Sequence, residues 1–209
     1  MDDLKQNLIA QLLTSDSFES WNCFEPKFFG ADSRQIPFFG SITQSSALLL
    51  ISQLKHLEEL NAEAPIVIVV NTEGGSVSDA LAIYDTILQL SCPVIVQATG
   101  LCASAGLLIL SAADYRIATP STMFYYHHPI IEDSFITSVE NMNQVRDYYE
   151  HCKTITDNII RTRSKIRKNT WTKQFENKTS FYFDTKSALD FKIIDNITKS
   201  QKLEYTIEE

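Results

Sequence analysis

Ser104 stands in the run Thr99-Gly100-Leu101-Cys102-Ala103-Ser104-Ala105-Gly106, whose small residues leave a hydroxyl open to approach. Gly75, the second of a glycine pair, lies 29 positions before it, and His127, the first residue of His127-His128-Pro129, lies 23 positions after it. A hydroxyl, uncovered backbone N–H groups and an imidazole are the parts of an acyl-transfer site: nucleophile, oxyanion donors and base. A serine oxygen is a weak nucleophile unless a base takes its proton, so one histidine has to reach it. Successive side chains of an extended segment point to opposite faces, so at most one of His127 and His128 can do so. Pro129 biases His128 towards the extended conformation and supports that alternation. Two other readings compete: a histidine pair at a strand end is often structural, and Cys102 is either a rival nucleophile or a small buried thiol.

In acyl transfer, negative charge develops on the carbonyl oxygen. Ser104 is expected to open a helix, where unpaired N–H groups and the dipole favour that charge. The N–H of Ala105 is then one oxyanion donor, and Gly75, lacking a Cβ, supplies the other. Four of the six glycines (Gly74, Gly75, Gly100 and Gly106) fall in this region, which marks its backbone as specialised. The plain alternative for Gly74-Gly75 is a strand-to-helix turn.

The elements that must hold these groups are legible from periodicity. Ile66-Val67-Ile68-Val69-Val70 is a continuous β-branched run, the pattern of a parallel strand buried on both faces. After the glycine pair, Ala80, Ile83, Tyr84, Ile87 and Leu88 recur at helical spacing, with Ser76 or Ser78 as N-cap. Pro93 to Val96 is the next strand, and Ser104 to Ala113 a short apolar helix. Upstream, Ile36 to Gly40 reads as a strand ending in a turn, followed by a helix over Ser45 to Glu59 carrying Leu48, Leu49, Ile51, Leu54 and Leu57. Leu4, Leu8, Ile9, Leu12 and Leu13 suggest a short N-terminal helix, with a turn-rich segment after it. Downstream come short strands at Tyr115 to Ala118 and Met123 to Tyr126, then a long helix from about Ser138 to Arg163. Val145, Cys152 and Ile159 are spaced seven apart on that helix, which permits a helical partner without requiring one. The basic run Arg161 to Lys168 reads as a solvated helix end. Ser187 to Phe191 suggests a last helix and Ile193 to Ile197 a last strand.

Length and composition set bounds. The 209 residues, 44% hydrophobic, suit one globular core, with residues 35–198 as its domain, 1–34 preceding it and 199–209 as a tail. A formal charge of −8 gives no support for binding nucleic acid or anionic lipid. No apolar stretch approaches the roughly 20 residues that span a bilayer. The acidic N-terminus has no secretory h-region, so a cytoplasmic location is expected. Cys23, Cys92, Cys102 and Cys152 form no C-x-x-C pair, and neither a metal nor a cofactor is expected.

Several ordered motifs carry a family resemblance. Asn71-Thr72-Glu73-Gly74-Gly75-Ser76-Val77, Ala82-Ile83-Tyr84-Asp85-Thr86, Ala103-Ser104-Ala105-Gly106 and Pro120 through His127-His128-Pro129 resemble the Clp protease proteolytic subunit family, over about Gln35 to Asn196. By position, the resemblance implies Ser104 as nucleophile, His127 as general base, and Gly75 and Ala105 as oxyanion amides. It implies a crotonase-like α/β fold, a ββα superhelix with a protruding long helix that joins rings. It also implies stacked seven-membered rings of this chain, hydrolysis of unfolded polypeptides and a partner ATPase unfoldase.

Three departures stand out. The position matching the family's third triad residue, an aspartate, is Ser180, which supplies no charge to an imidazolium. Asp184, the nearest acid, matches a helix-capping position. Glu73 stands where the family usually has proline, and the loop before Tyr115 is shorter, as in phage-type relatives. The leading reading is a serine endopeptidase whose His127 is oriented by Ser180, a backbone group or water. A weakly active or inactive ring subunit working with an active paralogue is the alternative. Acyl-CoA chemistry on the same fold leaves the pairing of Ser104 with His127 unexplained. A Ser/Lys peptidase is weakened by the absence of lysine between Lys55 and Lys153.

Overall fold

A computed structural model describes residues 33–130, 139–164, 166–173 and 180–198. The expected N-terminal helix, Cys23 and the 199–209 tail lie outside these residues.

Five parallel strands form the main sheet in the order β1 (Gln35–Phe39), β2 (Ile66–Thr72), β3 (Val94–Ala103), β4 (Tyr115–Ala118) and β7 (Asn196–Ile197). The apolar run of β2 is buried on both faces as its composition requires. Ile66, Ile68 and Val70 join the main core, while Val67 and Val69 pack with Ile95 and Ile117 in a smaller cluster. Helices α1 (Gln44–Leu60) and α2 (Val77–Gln89) supply the intervening crossovers. Thr43 and Ser46 close a capping box on α1, and Ser76 caps α2. The buried stripe of α1 is Ala47, Leu50, Leu54 and Leu57. Leu48 and Leu49 are instead 65% and 61% exposed, one residue round the helix from the core-facing side.

The feature that shapes the site is a strand that changes partners. Ile95 to Ala98 of β3 pair with β4, whereas Leu101 to Ala103 pair with β5 (Met123–His127). Between the two halves Gly100 adopts φ +65°, and the β2–β3 register shifts. A bend of this kind breaks the ladder, and the Asn71 side chain repairs it by accepting the Leu101 N–H at 3.1 Å. β3 is therefore far longer than its apolar run suggested, because Thr99 to Ala103 continue it.

Strand β5 pairs on its other edge with antiparallel β6 (Ser180–Asp184), which was not anticipated. Helix α6 (Thr185–Asp190) follows, and Asp184 caps it by accepting the Ser187 N–H at 2.8 Å. The last strand is only two residues long, because Ile193 and Ile194 donate their N–H groups back to the Ala188 carbonyl of α6. Nε and Nη2 of Arg116 fork onto the Asp195 carboxylate at 2.9 and 2.7 Å.

Helix α3 (Gly106–Ala112) is wholly buried. The long helix α4 (Val139–Ser164) is largely exposed from Met142 to His151. It then buries Cys152, Thr156, Ile160 and Ser164, every fourth residue, where it packs on α3. Arg163 is not a solvated end. Its guanidinium donates to the carbonyls of Ser111, Ala112 and Ala113, capping α3 where the dipole is negative. A short helix α5 (Lys168–Lys173), also unanticipated, buries Trp171.

Candidate active site

Ser104 lies at the turn from β3 into α3, not in the helix. Its φ of +53° is left-handed, and the helix begins two residues later. For a residue with a Cβ that conformation costs about 1–3 kcal/mol and persists only where neighbours enforce it. The enforcing contacts are visible. The Ser104 N–H donates to the Tyr125 carbonyl of β5 at 2.8 Å, and its carbonyl accepts the Leu107 N–H at 3.1 Å. A strained strand-to-helix turn carrying a serine projects its hydroxyl away from the sheet.

The glycine pair is held against this turn. A Cβ on Gly74 would stand 2.6 Å from Ser104 Cβ, and one on Gly75 would stand 2.3 Å from the Ile42 carbonyl oxygen. Their φ angles of +99° and +145° also belong to glycine. Ile42 uses its N–H on Gly74 and its carbonyl on the Ser76 N–H. In such a parallel bridge the Gly75 N–H points away from Ile42. Among the described residues neither that N–H nor the Ala105 N–H has an acceptor. Glu73, next in the loop, accepts from the Ser41 hydroxyl, and that bond holds its carboxyl below the usual range.

His127 ends β5, and Ser180 is its direct cross-strand partner. His127 Nδ1 lies 2.6 Å from the His128 carbonyl oxygen. A carbonyl can only accept, so this contact is a hydrogen bond in the tautomer that carries its proton on Nδ1, which leaves Nε2 as the acceptor of the neutral ring. The ring stacks on Tyr125, which stacks in turn on Tyr182. Ser104, Ala105 and His127 line one small solvent-open pocket, walled by apolar Val77, Leu108 and Ile160. No hydrogen bond joins Ser104 to His127 among the described residues. Catalytic hydrogen bonds of unliganded enzymes are often this open and tighten when substrate binds.

His128 turns the other way. Its Nε2 faces Asp157 Oδ2 of α4 at 3.7 Å, and the ring meets Tyr126 edge-on. Burial pushes the His128 imidazole below its ordinary pKa against the opposing pull of Asp157. Neither Asp157 nor its contacts were legible in the sequence: it lies in a helix of mixed charge, and only packing brings it behind β5.

Cys102 is fully buried, and burial pushes its thiol up to about 12. At pH 8 the thiolate, the reactive form, is then about one part in ten thousand. Iodoacetamide at pH 8 is expected to leave Cys102 unmodified in the folded chain and to label it after denaturation, as read by peptide mass. Labelling of the native chain at this residue would restore Cys102 as a rival nucleophile.

A parallel sheet whose central strand changes partner, with a serine at its end and a histidine on the neighbouring strand, defines a crotonase-like α/β protein. The chain belongs to the Clp protease family, whose model, described as Clp protease, matches residues 28–201. It is 29% identical over 177 residues to the ATP-dependent Clp protease proteolytic subunit of Bdellovibrio bacteriovorus, covering 78% of this chain and 77% of that one. Subunit 1 of the Chlamydia abortus protease is 31% identical over 169 residues, covering 79% and 86%. Subunit 1 from Chlamydia muridarum is 41% identical over 102 residues, about half of each chain (48% and 53%). A solved structure of a ClpP1 mutant from Listeria monocytogenes superposes with a TM-score of 0.71 at 25% identity, covering 80% of this chain and 92% of that one. Membership of this family supports a serine peptidase. No helix among the described residues is long and apolar enough to cross a membrane.

Proposed function

We propose that this chain is a serine-type endopeptidase that hydrolyses peptide bonds in unfolded polypeptides, with Ser104 as nucleophile and His127 as general base. Ser104 Oγ attacks the peptide carbonyl carbon while His127 Nε2 takes the hydroxyl proton. The carbonyl oxygen, now negative, is held by the N–H groups of Gly75 and Ala105, each such donor being worth about 10²–10³ in rate. Collapse of the tetrahedral intermediate breaks the C–N bond, and His127 returns its proton to the leaving amine. Water, activated by the same imidazole, then releases the acyl group from Ser104.

The observation that carries this reading is the setting of His127: it shares a pocket with Ser104, and its Nδ1 lies against the His128 carbonyl, which leaves Nε2 to face the hydroxyl proton. Family membership supports rings of identical subunits, seven to a ring by resemblance, fed by an ATPase unfoldase. The exposed stretch of α4 from Met142 to His151 is the segment proposed to join rings. The cytoplasm is the proposed setting. The test is labelling by a fluorophosphonate or β-lactone probe, alone and with a partner subunit. Labelling confined to Ser104 supports the proposal, and its absence under both conditions overturns it.

One observation favours a weakly active subunit that assembles with an active paralogue: Ser180, and no carboxylate, faces His127 across the β5–β6 ladder. A hydrogen bond to a charged acceptor is worth about 1–2 kcal/mol more than one to a neutral acceptor. Ser180→Asp is therefore expected to raise kcat about tenfold, measured on an unfolded protein substrate. An unchanged rate in a folded variant would show that the missing acid does not limit this site.

A further inference from the structure

Asp157 gathers contacts from three parts of the chain behind the site. Its Oδ1 accepts from the Tyr126 hydroxyl of β5 at 2.7 Å and from the Trp171 indole N–H of α5 at 3.1 Å. Its Oδ2 faces His128 Nε2 at 3.7 Å. The Asp157 side chain is about one quarter exposed and that of His128 about one sixth, so the pair is only partly screened by water. Tyr126 is almost wholly buried, and both Asp157 and the buried pocket wall lie on the stretch of α4 that packs against the core.

We propose that Asp157 is a positioning residue that sets the tautomer of His127 at one remove. Its carboxylate and the Tyr126 ring confine the His128 side chain and thereby limit rotation of the His128 peptide, whose carbonyl oxygen accepts from His127 Nδ1–H. A neutral histidine side chain free in water carries its proton mainly on Nε2, the nitrogen that has to be empty if Ser104 is to lose its proton there. A triad aspartate prevents this directly, and the wrong tautomer costs about 10⁴ in kcat where it has been isolated. Here the acceptor is a main-chain carbonyl, so the task becomes one of holding a peptide plane. Pro129 restricts His128 to extended backbone on one side. The side chain of His128, caught between Asp157 and Tyr126, anchors it on the other. The remaining charged groups acting on His128 are Lys153 and Glu150 of α4, at longer range, and His127 itself.

The inference rests on His127 as the base of the proposed peptidase, but it can be tested without turnover. The full-length chain, labelled with ¹⁵N-histidine, is examined by long-range ¹H–¹⁵N correlation, with His127 assigned from its loss in His127→Gln. The native chain is expected to show His127 protonated on Nδ1. Asp157→Asn keeps an acceptor for Tyr126 and Trp171 but removes the charge facing His128. It is expected to move His127 towards the Nε2-protonated form and to slow Ser104 labelling about tenfold. A brace for Tyr126 and Trp171 alone would leave His127 unmoved in this variant, and that result overturns the proposal. So does a native His127 protonated on Nε2. Asp157→Leu, which removes all three contacts, is expected to move the tautomer further, with folding checked by thermal melting. A native chain that shows the Nδ1 tautomer, loses it in Asp157→Asn and yet never labels at Ser104 sinks the peptidase reading while supporting the positioning role.

Discussion

Ser104→Ala is expected to lower peptide hydrolysis by at least about 10³-fold and to abolish covalent probe labelling, with the fold intact. The size follows from how triad members act: loss of the nucleophile removes the covalent route and leaves only what oxyanion donors and binding supply. The substitution is also a stability probe. Alanine has no hydroxyl and the same φ of +53° to satisfy, so it inherits the left-handed strain and the Tyr125 hydrogen bond unchanged. Thermal stability should therefore stay close to that of the native chain while activity disappears. Residual hydrolysis near the native rate would mean that another group attacks the peptide bond, and the reading of this site would be wrong.

The second large effect separates the two adjacent histidines. His127→Ala is expected to cost at least about 10³-fold in kcat with little change in KM, because the proton on Ser104 then has no acceptor. His128→Gln should cost only about tenfold, since its carbonyl, the group that touches His127, belongs to the main chain. The contrast is measured as kcat and KM for both variants on one unfolded substrate. Equal losses in the two variants, or a larger loss for His128→Gln, would exchange their roles and point to a pair made by His128 with Asp157.

Much of this arrangement was legible along the chain. The β-branched run of β2 announced a strand buried on both faces, and the stripes of α2 and α4 announced their helices. The alternation of an extended segment separated His127 from His128, and these two do face different neighbours. The failures share one cause. Thr99 to Ala103 lack a strand pattern because β3 bends there at Gly100 and changes partner, so its pairing depends on β5, some twenty residues away. Strand β6 is short and lies at the sheet edge, and its consecutive aromatics Phe181, Tyr182 and Phe183 make sense only once Phe124 and Phe183 are stacked across the ladder. Ser104 was expected in helical backbone, but the bond from its N–H to Tyr125 holds it in the left-handed region instead.

Residue types and spacing alone established the alternation of strands and helices, the family motifs around Gly75, Ser104 and His127, and a serine rather than an acid at Ser180. These are properties of residue type and local spacing, which periodicity and steric preference read directly. The surroundings of the His127 ring came only from tertiary contacts. His127 Nδ1 meets a carbonyl one residue away, and the ring of that residue faces Asp157, delivered by a helix packed on α3. Such long-range contacts close through side-chain packing between segments distant in the chain, and no local pattern encodes them.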